Sequence, residues 1–593
     1  MEGPPVRDDR QPNQWTTIAI LLALSSLLFF LGLGDMGLTD RDEGRNAEAG
    51  REMFASGDLV TPTFNGELRV AKPVFVYWLM TISYHVFGVN EFAARAPSAL
   101  FGVALILMHY LFLTRLRGPT AGLVGALMLL LNIEMLALGR MAITDSVLIF
   151  FTTLSLYGFW LGLHEPGAGR HWIWGFYVGM ALATLTKGPV GFLVPLLTAG
   201  LYLTAAGRWT IFWQRGLPIA GTVVVMLLAG PWYAAMFLIH GDAYSEQAKV
   251  HTVGRFLAPM EGHGVGFWFY VPVLLLGFFP WSLMLPAAFS QTYKSWRAQR
   301  SLADAGASPL HSHVDSGSGK ELEWFAALWL VGTFIFFTVS STRLPHYIGP
   351  LFPAASVLAA LYWARALKDP STAGIRGSIH AVTGVGYLLA IGFASLPWLY
   401  GKFAGKLVKE FPTAVQFDLG IGPYLAAAVL LIGMGLVGYF ALNEARRDTA
   451  FGIAGGVVAT VFLLAVLTVI PGLNRYAIAP PQELAYAAGL NLGPEDQLIA
   501  FGTLRPSMAF YSRRKVLFIP PGESKRLQAA LAYPGRTMIL LPEAMQEALP
   551  REAATYQPIL KRYGYILLAS QPMVTIPQSA TPEQPSLPKP SGH

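Results

Sequence analysis

The chain has 593 residues, of which 53% are hydrophobic and 13% charged, with a formal net charge of +7 and no cysteine. A soluble globular chain carries about twice that charge fraction, and many apolar runs reach the ~20 residues needed to cross a bilayer, so this is a polytopic membrane protein. The missing cysteines exclude disulfides, thiolate metal sites and cysteine nucleophiles, and the excess positive charge sits largely in short loops between spans, which asks for no nucleic-acid partner.

In chain order, residues 1–15 form a short polar N-terminus, and the first span has no small-residue cleavage site, so it reads as a retained span. Apolar segments predict thirteen crossings, at 17–37, 93–114, 119–139, 145–163, 172–187, 189–206, 217–239, 267–289, 323–340, 346–366, 378–400, 422–442 and 450–470. The segment from Pro73 to Phe87 is apolar but only 15 residues long, and its Phe75, Tyr77, Trp78 and Tyr84 fit a helix lying in the membrane interface. With a cytoplasmic N-terminus, every inside loop then carries Arg or Lys, among them Arg115, Arg170, Arg208, Arg297, Arg365 and Arg446. Residues 296–320 read as a flexible cytoplasmic connection, and 401–420, with Lys402, Lys406 and Lys409 among apolar residues, as an amphipathic surface helix.

After Pro471-Gly472 the pattern changes. Short apolar runs at 497–501, 516–519, 537–541 and 565–569 alternate with helix-like segments at 523–532 and 543–547. That alternation predicts a small soluble α/β domain over 472–576, placed outside by odd span parity. The Pro- and Ser-rich tail, 577–593, is expected to be disordered.

Chemistry concentrates in the first outer loop, residues 38–92. From Asp35 to Asp58, ten of 24 residues are Asp, Glu or Arg, an unusual density for so apolar a chain. Asp40 and Glu43 have the spacing of an N-capping pair, which predicts a short helix with Asp42 in its first turn. There the helix dipole favours the ionised carboxylate, able to accept a proton or steady a positive charge. Alone, the cluster reads better as a capped and solvated surface helix, and only the rest of the chain reverses that preference.

Further polar groups fall on the same predicted face: Lys72-Pro73, Arg140 with Asp145, Lys187-Gly188-Pro189, the His251/Arg255/Glu261/His263 loop, and Arg343 to Tyr347. Each has a bland alternative. Lys72 and Arg343 suit snorkelling to headgroups, Asp145 suits a helix cap, Lys187 a span end, and Glu134 a structural pair with Arg140. Their convergence points instead to an anionic group at the lipid interface, and phosphate on a lipid carrier fits.

At these residues the chain resembles the lipid-linked-sugar glycosyltransferases of the GT-C superfamily. The nearer branch holds the bacterial protein O-mannosyltransferase relatives and the aminoarabinose transferases that modify lipid A. The matching pieces are Asp42-Glu43-Gly44-Arg45-Asn46-Ala47-Glu48, Arg51-Glu52-Met53, Ser56-Gly57-Asp58, Phe64-Asn65-Gly66, Lys72-Pro73, Gly139-Arg140 through Asp145, Lys187-Gly188-Pro189, Pro280-Trp281 and Leu344-Pro345-His346-Tyr347. They span most of residues 17–366, in order.

The resemblance implies a GT-C membrane domain over 1–471 with about thirteen transmembrane helices, interfacial helices in its first outer loop, and a periplasmic C-terminal domain. It implies inverting transfer of a sugar from a polyprenyl-phosphate donor to a periplasmic-side acceptor: a lipid A-like glycolipid, a glycan or a protein. Asp42 is then the catalytic carboxylate, with Asp145 and Glu43 as further acidic residues. Lys72, Arg45, Arg140, Lys187, Arg255, Arg343 and Tyr347 are the substrate-binding set. Ala71 stands where relatives carry a glutamate proposed as a metal ligand, so no cofactor is expected, and His251 and His263 remain the candidate ligands for any divalent metal. The expected setting is the bacterial inner membrane, as a monomer among membrane lipids. The rival reading, a transporter or flippase of an anionic lipid-linked substrate, would place its charges near the bilayer midplane in two related halves.

Overall fold

The computed structural model describes residues 13–165, 171–254, 266–304, 317–408 and 411–571. Arg255, Glu261 and His263, the stretch 305–316 of the expected cytoplasmic connection, Arg170, Lys409 and the tail from Pro577 lie outside them. Helices cover all thirteen predicted spans. Eight are long and apolar enough to cross a membrane, and a bent pair, Phe267–Gly277 with Trp281–Ala298, makes a ninth. The other four, Gln14–Phe30, Pro119–Leu130, Ile173–Lys187 and Val190–Ala206, have 12 to 17 residues. At 1.5 Å per residue these are short for a hydrocarbon layer of about 30 Å.

Two expected single spans are broken. The 119–139 segment splits at Asn132, whose side-chain NH2 donates to the Met128 and Leu129 carbonyls at 3.1 and 2.7 Å while its oxygen accepts the Met135 N–H at 3.0 Å. One amide thus ends the first helix and starts a second, Ile133–Leu138. The 267–289 segment turns by 107° between Gly277 and Trp281, where Pro280 cannot continue a helix. The 217–239 segment runs longer than expected, to Lys249, bending at Gly241 in a positive-φ conformation that glycine adopts freely. The predicted surface helix at 401–420 begins as the end of one long helix, Ile375–Leu407.

The first outer loop forms a helix over Asp42–Ser56, then a two-residue hairpin of β1 (Thr63–Phe64) and β2 (Glu67–Leu68), then a helix over Phe75–Phe87. Asn65-Gly66 closes the hairpin, both residues at positive φ, the pairing that a tight hairpin turn selects. Glu52 fastens it by accepting from the Thr63 hydroxyl at 2.5 Å and the Gly66 N–H at 3.0 Å.

The C-terminal sheet has the order β4-β3-β5-β7-β6, built from β3 (Gln497–Phe501), β4 (Val516–Ile519), β5 (Thr537–Pro542), β6 (Gln557–Arg562) and β7 (Tyr565–Ala569). Its first three strands are parallel and the last two antiparallel. The four apolar runs named above are β3, β4, β5 and β7. Strand β6 is not marked by an apolar run, because as an edge strand it half-buries only Ile559 and Leu560, exposes both ends and carries Lys561 and Arg562. The helical path also passes through Pro471-Gly472 rather than breaking there. Pro471 sits in the first turn of a short helical segment, Ile470–Leu473, where its missing N–H costs nothing. A further helix, Ala479–Asn491, packs on the sheet.

This domain docks on the first outer loop. Val516 of edge strand β4 donates its N–H to the Asn65 side-chain oxygen at 2.8 Å and accepts from the Asn65 NH2 at 2.9 Å. The short docking helix Ser507–Ser512 lies against the Asp42–Ser56 helix, where a Cβ on Gly44 would sit 2.6 Å from the Ser507 nitrogen. From beneath, Glu43 (1% exposed) pairs with Arg95 (2% exposed) at 2.9 Å. Breaking a buried pair by removing one partner leaves the other charge uncompensated. Arg95→Met should therefore cost about 3–5 kcal/mol, seen as a lowered melting temperature in detergent. The Arg95→Met/Glu43→Gln double variant should recover part of that loss, and an unchanged melting temperature in the single variant would refute the strut.

Candidate active site

Asp42 opens the loop helix with a half-buried side chain. The expected cap is displaced by one residue. Glu43, not Asp40, closes back on the chain, accepting from the Thr39 N–H at 2.9 Å and the Thr39 hydroxyl at 2.6 Å. Asp40 turns outward instead and accepts the Ser507 N–H at 2.8 Å, with Arg505 at 3.5 Å. Asp42 is thereby fixed between two anchored neighbours.

Around it gather groups from four separate segments. Lys72, buried, comes from the end of the hairpin loop, and Asp145 from the first residue of the Asp145–His164 helix. Lys187 is the last residue of its helix and donates to Asp145 at 2.5 Å. His346 and Tyr347 stand on a 3-10 turn, Pro345–Leu351, and the Lys187 ammonium lies 4.6 Å from the Tyr347 ring centre. Burial alone would push the Asp42 carboxyl up, but Lys72, His346, Arg69 and Lys187 together hold it below its ordinary 3.8.

Arg69 and His346 were not among the expected binding residues, yet both face Asp42. Arg69 is aimed by its bonds to the Tyr77 hydroxyl and the Asn46 side-chain oxygen, both 2.9 Å, while Asn46 donates to the Ala142 carbonyl at 3.1 Å. A sequence signal for Arg69 existed in its spacing of three from Lys72. His346 lies within the Leu344-Pro345-His346-Tyr347 run that carries the resemblance, beside the expected Tyr347.

Other expected residues lie elsewhere. Glu43 is committed to Arg95, Thr39 and the Ala142 N–H, so the structure makes it a strut rather than a reacting group. Arg140 donates to the Leu28 and Phe29 carbonyls at 2.9 and 3.1 Å and stacks on Phe462, not on Glu134. Arg343 bends back to the Thr338 carbonyl at 2.9 Å. Arg45 is one turn on from Asp42 and half-buried. Ala71 offers no ligand atom, and among the described residues no three His, Asp or Glu side chains converge as a metal site requires. No step below runs through a metal.

Beside the charged cluster lies an apolar groove of about 470 Å³, lined by Val70, Ala71, Pro73, Lys187, Phe192 and Trp232 among others. Its residues flank Lys72 on both sides in sequence and end at the Lys187 side chain. The overhanging turns of the Pro218–Lys249 helix supply Tyr244 and Ala248, and His251 follows. His251 therefore sits in the groove wall.

Residues 21–245 match the family model described as dolichyl-phosphate-mannose-protein mannosyltransferase. An undecaprenyl phosphate-alpha-4-amino-4-deoxy-L-arabinose arabinosyl transferase of Edwardsiella ictaluri is 29% identical over 390 residues, 65% of this chain and 66% of that one. The enzyme of the same description from an Enterobacter species is 27% identical over 434 residues, 72% of each. In structure, ArnT from Cupriavidus metallidurans bound to undecaprenyl phosphate superimposes with a TM-score of 0.74 at 21% identity, covering 94% of this chain and 99% of that one. Together these matches support a lipid-linked-sugar glycosyltransferase of the GT-C type, on the aminoarabinose transferase-like branch.

The chain is a multi-pass membrane protein, and its relatives are named as glycosyltransferases. The transporter reading loses its ground. The charged groups around Asp42 gather at helix ends, on the side where the sheet domain docks.

Since Asp42 must be ionised to act as a base, activity should fall only as pH drops through its depressed pKa, below the ordinary 3.8. Lys72 is the largest of the attractions holding that value down. Lys72→Ala should move the acid limb of the kcat/KM profile to higher pH, and a limb that stays in place would detach Lys72 from Asp42.

Proposed function

We propose that this membrane glycosyltransferase moves a sugar from a polyprenyl-phosphate donor to an acceptor oxygen on the periplasmic face of the bacterial inner membrane, with inversion. The observation that carries this is the apolar groove, lined by Lys187 and by Val70, Ala71 and Pro73 on either side of Lys72. A prenyl chain fits the groove, and its phosphate then falls between ammonium groups in a water-poor site, where such pairing is strong.

The chemistry follows from that placement. The acceptor oxygen attacks the anomeric carbon from the face opposite the phosphate as the bond from that carbon to the phosphate oxygen breaks. The electron pair leaves with the phosphate, and Lys72 and Lys187 meet the added charge. A hydroxyl acceptor passes its proton to Asp42, whose cationic surroundings keep it ready as a carboxylate. Asp145 holds the Lys187 ammonium at the groove mouth, while Arg69 balances the charge on Asp42; burial pushes His346 down to about 4, so it faces Asp42 as a neutral imidazole.

Sugar and acceptor classes follow the relatives. An aminopentose is one sugar, and a lipid A-like glycolipid, a glycan or a protein is the acceptor. The Arg- and Lys-bearing inside loops support a cytoplasmic N-terminus, hence a periplasmic site.

Asp42→Asn should cut sugar transfer in reconstituted membranes by about 10²–10⁴-fold while undecaprenyl phosphate still binds. Near-normal turnover would reject the assignment. Lys72→Ala should weaken binding of undecaprenyl phosphate by about 1.5–3 kcal/mol, the worth of a charged hydrogen bond; unchanged affinity would remove the phosphate from that site. A cysteine placed at Gly66 should react with an impermeant thiol reagent from the periplasm, and labelling only from the cytoplasm would invert the topology.

A further inference from the structure

A second cavity, of about 410 Å³, lies where the sheet domain meets the membrane domain. It shares no lining residue with the apolar groove, and its size is that of a small-molecule site. Asp35 reaches it from the turns after the first helix and Glu91 from the start of the Glu91–Arg117 helix. Gln482 and Tyr486 come from the Ala479–Asn491 helix, and Arg513 from the end of the docking helix. The first two residues stand at the ends of spans, which puts the cavity at the depth of lipid headgroups.

Its wall holds open groups of both signs. Among the described residues, neither the Asp35 nor the Arg513 side chain makes a hydrogen bond or an ion pair. Glu91 accepts from the Tyr511 hydroxyl at 2.8 Å with one oxygen, and the other has no donor among them. Gln482 is 3% exposed and donates its NH2 to the Leu38 carbonyl at 2.6 Å and the Ser507 hydroxyl at 3.3 Å. Its oxygen lies against Gly37, another lining residue, where an added Cβ would collide with it. That oxygen also finds no donor among the described residues. A buried acceptor in that state costs free energy until a donor arrives.

The surroundings identify the donor. Carboxylates repel a polyanion, whereas an ammonium suits Asp35, Glu91 and the Gln482 oxygen together. Arg513 is the cation among the lining residues, and a guanidinium suits a phosphate. Apolar side chains stand exposed close by in the chain: Val86 and Phe87 just before lining residue Val89, and Leu490 one turn beyond Tyr486. At a membrane surface such side chains meet acyl chains. We propose that this cavity holds the headgroup of an amino-phospholipid from the leaflet on the sheet-domain side, with its ammonium on Asp35, Glu91 and Gln482 and its phosphate on Arg513. A lipid held there bridges the two domains without touching the reacting groups.

The test measures binding to the delipidated full-length protein by native mass spectrometry. Three phospholipids with the same acyl chains are compared: phosphatidylethanolamine, phosphatidylcholine, whose ammonium has no N–H, and phosphatidylglycerol, which has no ammonium. Wild type should bind phosphatidylethanolamine about tenfold more tightly than either, the worth of one charge-assisted hydrogen bond, and that lipid should raise its melting temperature. Asp35→Asn and Glu91→Gln, which keeps an acceptor for Tyr511, should each remove most of the preference. Arg513→Ala should weaken phosphatidylethanolamine and phosphatidylglycerol alike, and all three variants should bind undecaprenyl phosphate as wild type does. A wild type without the preference, variants that all bind as wild type, or an equal loss for every lipid, undecaprenyl phosphate included, each overturns the proposal. Soluble phosphoethanolamine binding as tightly as the lipid also overturns it, because the site would then serve the free compound.

Discussion

The site depends on how the helix beginning at Asp42 is gripped at its first turn. Below, Glu43 sinks a full charge into the protein against Arg95, whose guanidinium also donates to the Leu33, Met36 and Gly37 carbonyls. Those carbonyls belong to the turns that follow the first helix, Gln14–Phe30. One guanidinium therefore ties the exit of the first span to the start of the loop helix, and a buried pair with so many satisfied partners is costly to disturb. Above, Asp40 and Gly44 bring the docking helix into backbone contact. Three successive elements of one short motif thus face three directions: down into the membrane domain, up into the sheet domain, and sideways, with Asp42, into the reaction space.

The electrostatics of the centre follow from the same economy of charge. In a chain this poor in ionisable residues, two carboxylates and at least three cations share one half-buried volume. They come from four segments, with Arg69 and Lys72 sharing one, so no single helix could reproduce the arrangement. Lys187 illustrates the logic, since its ammonium is shared between Asp145 and the face of Tyr347. A cation braced on two sides keeps its place whether or not an anion occupies the groove mouth, and preorganised charge of this kind needs little rearrangement when new charge develops.

Much of this was legible from sequence because membrane proteins advertise their constraints. Apolar length marked every predicted span, and the density of charge between Asp35 and Asp58 marked the candidate site. The same logic failed where a side chain, not hydropathy, decides. Asn132 breaks an apolar run by bonding its own backbone, and Pro280 bends another; neither changes the average hydropathy that defines a span. Glu43 was misassigned because adjacent carboxylates look alike in a string, while a helix sends neighbours about 100° apart, one into the cluster and one into Arg95. Arg69 was passed over because its aim depends on Tyr77 and Asn46, which no local pattern joins to it. Strand β6 escaped because an edge strand need not be apolar.

The groove beside Lys72 has a size suited to a drug-like molecule, far less than a long polyprenol fills. On the proposed reading it grasps only the first isoprene units, and the rest of the tail trails into surrounding lipid. Carrier length would then be invisible to the enzyme. Selection among donors must come from the head, so a host could change the number of prenyl units in its lipid pool without retuning this protein.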